Sequence, residues 1–202
     1  MLTVALPKGR IAQDTLKIFE QLFGKGFEFE SRKLILEVGD FRFLNVRNQD
    51  VPTYVAYGAA DLGVVGLDVI TEKELDIIDL LDLRLGCCKV AIGVKEGESL
   101  DWSKPNLKVA TKMENITKNY FASKGVGVEV IKLYGSIELA PLVNLADAIV
   151  DIVETGNTMR ENGLVVAEEI MSSSAHLIAN KNSFYSKKRE ILSLYEKIKR
   201  VI

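Results

Sequence analysis

The 202-residue sequence contains few of the residues on which common catalytic and structural sites depend. It has one histidine, His176, and two cysteines, the adjacent Cys87 and Cys88. A single histidine in a serine-rich segment, without a recognisable nucleophile motif, argues against Ser-His or Cys-His catalysis. Adjacent cysteines strain a disulfide and match no common zinc spacing, so we interpret both as small core residues. A Walker A loop is also absent.

Strong charge of either sign and long apolar runs are missing as well. The formal net charge is −2 and 48% of the residues are hydrophobic, so neither a nucleic-acid partner nor a membrane surface is indicated. The longest apolar runs, such as residues 62–67 and 139–145, are far shorter than the ~20 residues of a membrane helix. The N-terminus has no basic region ahead of its apolar stretch, so it is interpreted as a strand rather than an export signal. We therefore expect a cytoplasmic protein.

What the sequence does contain is an alternation of strand-like and helix-like segments. Such alternation is typical of an α/β fold with a largely parallel sheet and flanking helices. The Gly39-Asp40 pair predicts a hairpin turn, and Asp50 followed by Pro52 predicts a helix start with Asp50 as its cap. Strands are expected at residues 2–6, 27–30, 33–38, 41–46, 60–66, 85–94, 107–111, 128–133, 165–171 and 175–179, and helices at 11–23, 51–58, 116–124 and 184–202.

Two interruptions of this pattern favour two domains. The charged stretch at residues 95–105 interrupts a second α/β unit, and Ser172 to Ser174 break an apolar pattern late in the chain. We place the crossings near residues 88 and 175. The first domain would then comprise residues 1–88 and 176–202 and the second 89–175, with a ligand cleft between them.

Residues 147–158 are the most informative stretch. A β-branched run carrying Asp151 and Glu154 passes into the turn Thr155-Gly156-Asn157-Thr158 and then into a short helix-like segment that ends at Gly163. Threonine hydroxyls, inward backbone N–H groups at the glycine and the positive end of a helix dipole can bind a phosphate. The carboxylates before the turn suit hydroxyls or a metal. Together these groups suit a 5-phosphoribosyl group.

The same turn also fits an ordinary helix start, with Thr155 or Asn157 acting as a cap. What favours the binding site is the cost of ionised carboxylates in and beside an apolar run unless something binds them.

A second candidate site follows the first strand. Pro7-Lys8-Gly9-Arg10 stands where open α/β sheets bind ligands, and Lys8, Gly9 and Arg10 suit an anion. Arg32 and Arg47 add guanidinium groups that could bind phosphate in bidentate fashion. Each of these residues also fits a solvated surface.

The ordered motifs resemble the short form of the ATP phosphoribosyltransferases that open histidine biosynthesis, and the resemblance runs almost end to end. One departure is Glu114, where many relatives have proline. The matching segments are Leu6-Pro-Lys-Gly-Arg10 and residues 47–55, 58–66, 132–141 and 145–158.

The resemblance implies a two-lobed fold like that of type II periplasmic binding proteins. It also implies transfer of the phosphoribosyl group of phosphoribosyl pyrophosphate to N1 of ATP, with Mg²⁺ and release of pyrophosphate. Adenine N1 already carries a lone pair, so no strong base is required. By this resemblance Lys8, Gly9, Arg10, Arg32 and Arg47 would serve ATP and the leaving group, with Arg47, Arg32 and Lys8 catalytic.

The same resemblance assigns the phosphoribosyl site to one group of residues and implies partners. Mg²⁺ would be bridged through substrate phosphates, with Asp151 or Glu154 as protein ligands. The chain ends after its last helix, as short members do, so we expect a homodimer that assembles with a regulatory subunit similar to histidyl-tRNA synthetase. The phosphoribosyl residues would be Asp151, Glu154, Thr155, Gly156, Asn157, Thr158 and Glu138.

Two other functions are compatible with parts of the sequence. A solute-binding or sensory module of the same two-lobed fold would bind an anion at Lys8 and Arg47 without chemistry. A single-domain phosphoribosyltransferase would need two consecutive acidic residues in its loop, whereas Asp151 and Glu154 are separated by two apolar residues.

Overall fold

A computed structural model describes residues 1–30 and 32–202 of the chain. These residues form two compact units, Met1–Gly86 with Ser174–Ile202, and Cys87–Ser173. The division of the chain into independent domains at residues 88 and 175 stays a prediction. No helix in the described part of the chain is long and apolar enough to cross a membrane.

The first unit is built on strands in the order β2-β3-β1-β4-β9. Strand β1 is parallel to β3 and β4. Strand β2 pairs antiparallel with β3, and β9 pairs antiparallel with β4. A 3₁₀ turn, Asn48–Asp50, precedes α2. The elements are β1 (Leu2–Pro7), α1 (Arg10–Phe23), β2 (Ile35–Val38), β3 (Phe41–Val46), α2 (Val51–Ala56), β4 (Leu62–Gly66), α3 (Leu67–Lys73), the first part of β5 (Ile78–Lys95), the last part of β9 (Leu164–Ala179), α7 (Lys181–Ser186) and α8 (Lys188–Lys199).

The strands of the second unit lie in the order β5-β8-β6-β7. Strand β6 is parallel to both β7 and β8, and β5 is antiparallel to β8. Parallel neighbours end at the same edge, so the carboxyl ends of β6 and β8 lie side by side. The elements are the second part of β5, β6 (Leu107–Thr111), α4 (Glu114–Ser123), β7 (Val128–Lys132), α5 (Leu139–Leu142), β8 (Ala148–Val153), α6 (Asn157–Glu161) and the first part of β9.

The core of the first unit is organised around phenylalanine. Phe19 of α1 packs edge-on against Phe41 and Phe43 of β3, with ring centroids 5.1 and 5.0 Å apart. Phe27, which follows α1, adds a fourth buried ring. Helix α8 contributes Ile191 and two further apolar residues to the same cluster. Edge-to-face packing of this kind stabilises beyond the area that it buries.

Several local predictions are wrong. Residues 27–30 form no strand, because Phe27 fills the core from irregular backbone. Asp50 makes no side-chain cap hydrogen bond and instead ends the 3₁₀ turn. Cys87 is exposed and Cys88 only half-buried, so neither is a core residue.

The end of the chain also differs from the prediction. Ser172 to Ser174 do not interrupt β9, which runs unbroken from residue 164 to 179, because serine fits a strand in which exposed and buried positions alternate. The expected single helix at residues 184–202 is two helices that meet at Lys187. Helix α7 begins three residues early because the side chain of Asn180 accepts a hydrogen bond from Ser183 N and caps it.

The buried carboxylate of Asp61 connects separate segments of the first unit through hydrogen bonds. Asp61, just before β4, accepts hydrogen bonds from Thr3 N at 2.9 Å, Ser183 Oγ at 2.7 Å and Lys187 Nζ at 2.7 Å. Burial alone would raise the pKa of Asp61, but the hydrogen bonds from Lys187, Thr3 and Ser183 outweigh it and lower this pKa below the usual value. The ionised form therefore stabilises the fold.

We expect Asp61→Asn to lower the free energy of unfolding by about 2 kcal/mol at neutral pH, as for hydrogen bonds to a charged group. The contribution of Asp61 is present above the unfolded-state pKa of about 3.9 and is lost as pH falls through the lower folded-state value. Urea unfolding of the variant should therefore depend less on pH in that acid range. Asp14→Asn, which breaks an exposed pair with Lys17, is the control, and equal stability of the two variants would contradict the assignment.

Candidate functional site

The turn after β8 is shorter and tighter than the sequence predicts. Strand β8 ends at Val153 and α6 begins at Asn157, which leaves only residues 154–156 between them. Gly156 has φ 75°, a left-handed conformation that glycine adopts without a steric penalty. Helix α6 has only five residues, so the dipole expected from the sequence contributes little, and the turn must bind ligands through its hydroxyl and backbone groups.

This turn lines a depression of about 300 Å³ on the second unit. All seven residues predicted to form the phosphoribosyl site line it. Three carboxylates, two threonine hydroxyls, one amide and the glycine backbone therefore face one small polar space. The lining residues are Lys112, Glu138, Asp151, Ile152, Val153, Glu154, Thr155, Gly156, Asn157, Thr158 and Met159.

Asp151 lies in this depression with most of its side chain buried and forms an ion pair there. Its side chain is 15% exposed, and Oδ1 lies 3.0 Å from Nζ of Lys112. Oδ1 also accepts a hydrogen bond of 2.8 Å from the backbone N–H of Ile152. The cost of an ionised group in this apolar strand, inferred from the sequence, is therefore offset in part by a lysine that the sequence did not single out. The signal for Lys112 is its place directly after a buried strand, where α/β sheets collect ligand-binding residues.

Arg160, a residue of α6, stabilises the turn through hydrogen bonds. Its Nη2 donates to the carbonyl of Thr155 at 3.4 Å and to Oδ1 of Asn157. Asn162 donates in the same way to the carbonyl of Thr158, at 2.8 Å. These bonds hold the turn and the first residues of α6 in one arrangement without using the threonine hydroxyls as donors.

The basic residues predicted to bind ATP and pyrophosphate belong to the first unit. Strands β1 and β3 are parallel, with Pro7 opposite Val46, so Lys8 and Arg47 leave the sheet at the same edge. The backbone N–H of Lys8 donates to the carbonyl of Val46 at 2.9 Å. Arg32 lies ahead of β2, which pairs antiparallel with β3 and starts at this edge.

The side chains at this edge are available to a ligand. Lys8, Arg32 and Arg47 are exposed, and within residues 1–30 and 32–202 their side-chain nitrogens have no ion-pair or hydrogen-bond partner. Gly9 has φ 108°, and a Cβ there would meet no atom within 4 Å, so the backbone between Lys8 and Arg10 is open. The arrangement suits an anion with several charged oxygens.

A metal ion would have to share its coordination with a ligand. In the described residues no three His, Cys, Asp or Glu side chains form a cluster that could hold a metal. Asp151, Glu154 and Glu138 nevertheless offer hard carboxylate oxygens around one depression. Mg²⁺ commonly binds one or two carboxylates, several waters and the phosphates of a substrate, which this donor set fits.

Comparison with known proteins identifies the family. The family model "HisG: ATP phosphoribosyltransferase" matches residues 47–200. The ATP phosphoribosyltransferase of Sulfurovum sp. (strain NBC37-1) is 78% identical over all of this chain and 98% of its own length. A solved structure, the ATP phosphoribosyl transferase (HisG:HisZ) complex from Thermotoga maritima, is 36% identical with a TM-score of 0.87, covering 100% of this chain and 98% of that one.

A more distant similarity concerns the fold alone. The alkanesulfonate-binding protein SsuA from Xanthomonas axonopodis pv. citri has a TM-score of 0.59 at 12% identity, over 98% of this chain and 72% of that one. The α/β fold of the type II periplasmic binding proteins, predicted from the sequence, is thereby confirmed. Together with the family match and the identities of 36% and 78%, these findings show that the chain belongs to the ATP phosphoribosyltransferase family.

Proposed function

We propose that the chain transfers the 5-phosphoribosyl group of phosphoribosyl pyrophosphate to N1 of ATP, the first step of histidine biosynthesis. The lone pair of adenine N1 forms a bond to C1 of the ribose, and the bond from C1 to the pyrophosphate oxygen breaks with its electron pair. The products are 1-(5-phosphoribosyl)-ATP and pyrophosphate. The chain's part in such a reaction is to position two polyanions and to stabilise the charge that develops on the leaving group.

The observation that carries this proposal is the depression at the end of β8. Thr155 to Thr158 offer hydroxyl and backbone donors to a 5′-phosphate, while Asp151 and Glu138 offer acceptors to the ribose hydroxyls. One small space thus combines the chemistry of a phosphate with that of a diol. We assign the binding of the phosphoribosyl group to this second unit.

The basic edge of the first unit supplies the complementary role. Lys8, Arg10 and Arg47 would bind the ATP triphosphate and the leaving pyrophosphate, and Arg32 is the further candidate. Guanidinium groups keep their charge and bind two phosphate oxygens at once, which suits a leaving group whose charge increases during the reaction.

Mg²⁺ would complete the site through the phosphates of the substrate. Asp151 and Glu154 are the side chains that could hold it, and when bound it would neutralise charge on the pyrophosphate. We place the reaction in the cytoplasm, where both ATP and phosphoribosyl pyrophosphate are found.

The direct test is pyrophosphate release from a mixture of the protein, ATP, phosphoribosyl pyrophosphate and Mg²⁺. Release should require both substrates and should stop when Mg²⁺ is chelated. Release without ATP would indicate simple hydrolysis. If neither the isolated chain nor its complex with a regulatory subunit releases pyrophosphate, the proposal fails, and binding without turnover would favour the solute-binding alternative.

Thr158 provides a mild test of the turn. Thr158→Val keeps the shape of the side chain but removes its hydroxyl, so the affinity for phosphoribosyl pyrophosphate should fall about fivefold, the value of one hydrogen bond of about 1 kcal/mol. Calorimetric titration with ATP should give an unchanged affinity. An unchanged affinity for phosphoribosyl pyrophosphate would remove Thr158 from the site.

Regulation is proposed to reside in a partner. The Thermotoga maritima relative was solved as a HisG:HisZ complex, and we propose that this chain forms homodimers that assemble with a similar subunit. Histidine should then leave the purified chain uninhibited and inhibit only the complex, since inhibition requires a second site coupled to the first. Tight binding of histidine to the purified chain in calorimetry would contradict this arrangement.

A further inference from the structure

The parallel pair β6 and β8 places a lysine beside the carboxylate of the proposed sugar site. Thr111, the last residue of β6, lies opposite Val150 of β8, and its buried hydroxyl donates to the Val150 carbonyl at 2.7 Å. The same hydroxyl accepts from Met113 N at 2.9 Å. These two bonds fix the path of the chain as it leaves β6. Lys112 therefore leaves the sheet at the level of Asp151, and its Nζ lies 3.0 Å from Asp151 Oδ1.

The ion pair between Lys112 and Asp151 occupies only one oxygen of the carboxylate and leaves donors of the ammonium group available. Oδ1 of Asp151 accepts from both Lys112 and the N–H of Ile152, whereas Oδ2 has no hydrogen-bond partner within the described residues. The ammonium of Lys112 has three donors, and Asp151 is its one ion-pair partner there. Lys112 is 37% exposed, so its remaining donors can reach a ligand in the depression.

Most of the ionisable side chains that line the depression are acidic, which makes the positive charge of Lys112 important for binding an anion. Of the ionisable side chains that line it, Glu138, Asp151 and Glu154 are acidic, and Lys112 is the only base among the lining residues described. Three carboxylates that line one depression would repel a phosphorylated ligand at the reduced dielectric constant of a protein surface. Arg160, the other nearby cation, already donates to acceptors of the turn itself.

We propose that Lys112 is a binding residue for the phosphorylated sugar. One of its N–H groups holds Oδ1 of Asp151, which leaves Oδ2 for the ribose hydroxyls, and another donates to an anionic phosphate oxygen of phosphoribosyl pyrophosphate. The inference rests on the proposed function and adds to it the cation that reconciles an anionic substrate with an acidic depression.

Calorimetric titration with phosphoribosyl pyrophosphate and Mg²⁺ tests the proposal. Lys112→Met should weaken binding about 10- to 100-fold, the range for a hydrogen bond to a charged group. Lys112→Arg keeps the charge and should stay within about threefold of the unmodified protein. Lys108→Met is the matched control, because Lys108 lies on β6, the strand that Lys112 directly follows, and pairs only loosely, at 3.9 Å, with Glu129. The affinity of this variant for phosphoribosyl pyrophosphate should be unchanged.

Two smaller probes locate the phosphate oxygen. A loss that extends to ribose 5-phosphate assigns the contact to the 5′-phosphate, and a loss confined to phosphoribosyl pyrophosphate and inorganic pyrophosphate assigns it to the pyrophosphate. Either pattern supports the proposal. Should Lys112→Met fail to fold, as judged by circular dichroism, Lys112→Gln replaces it in the series.

A double-mutant comparison separates direct from indirect action. If Lys112 binds the ligand, Lys112→Met should still cost about tenfold or more in affinity when Asp151 is already asparagine. If the cost disappears in that background, Lys112 only neutralises Asp151 and the proposal is overturned. An unmodified protein that fails to bind phosphoribosyl pyrophosphate would overturn the proposed function as well, whereas binding that Lys112→Met leaves unchanged would overturn this inference alone.

Discussion

Gly156→Val is expected to weaken phosphoribosyl pyrophosphate binding roughly 100-fold while ATP binding remains close to that of the unmodified protein. The glycine has φ 75°, and a Cβ there would lie 3.4 Å from Nη1 of Arg160 and 3.8 Å from Cγ1 of Val153. A β-branched residue in the left-handed region costs on the order of 1–3 kcal/mol, so the turn would leave the conformation that forms the site. Calorimetric titration with each substrate separately measures the two affinities.

Gly163→Val is the matched control for this change. Gly163 also has a left-handed φ, 67°, and follows the same short helix, but a Cβ there meets no atom within 4 Å and the residue does not line the depression. It should therefore lower stability without a selective loss of phosphoribosyl pyrophosphate binding. Equal loss of affinity for both substrates in Gly156→Val would indicate misfolding, and no loss at all would remove the turn from the phosphoribosyl site.

The turn could be predicted from the sequence because its signals are local. A run of β-branched residues ends at Val153 and glycine follows within three positions, so strand, turn and helix are encoded by neighbouring residues. The hairpin at Gly39 is predicted for the same reason, and the structure pairs Val38 with Phe41 there as expected. Local backbone preference and the local pattern of burial agree at both places.

The long strand β5 could not be predicted in the same way. Its first half carries Asp79, Asp82 and Arg84 among apolar residues, and Arg84 and Gly86 have left-handed φ values of 56° and 58°. Because charged residues and irregular backbone interrupt the alternation of apolar and polar residues, hydrophobic periodicity does not predict this half of the strand. Tertiary contacts hold this half of the strand in place. One of them joins His176 Nδ1 to Asp79 at 2.9 Å, between residues 97 positions apart in the sequence.

The same distinction explains why the sequence marks Asp151 and Glu154, but not Lys112, as residues of the proposed site. Asp151 and Glu154 are conspicuous as acids in and beside an apolar strand, so sequence alone marks them. Lys112 is an ordinary polar residue at the end of a strand, and it gains significance only through the pairing of β6 with β8, 39 residues further along the chain. Parallel pairing of this kind depends on tertiary structure, and the sequence around Lys112 does not encode it.

Arg47→Ala is expected to lower kcat about 100-fold and to change KM for phosphoribosyl pyrophosphate less than about threefold, in the range found for loss of one group that stabilises developing charge. Arg47 extends from the end of β3 with no partner for its guanidinium within the described residues, so no contact in the fold competes with a leaving group for it. Pyrophosphate gains negative charge as its bond to C1 breaks, and the guanidinium therefore binds the transition state more strongly than the ground state.

Steady-state kinetics of pyrophosphate release, with the complex if the isolated chain is slow, measure both constants for this variant. Arg42→Ala is the control, because Arg42 lies near the start of β3, at the opposite end of the strand from Arg47, and is paired with Glu37 at 2.6 Å. The kcat of this variant should be unchanged. Arg47→Lys should recover part of the rate, since it restores the charge but not the two-pronged geometry. A rise in KM with kcat preserved would instead make Arg47 a residue that binds substrate and transition state equally, and the stabilisation of the leaving group would then have to come from Lys8 or Arg32.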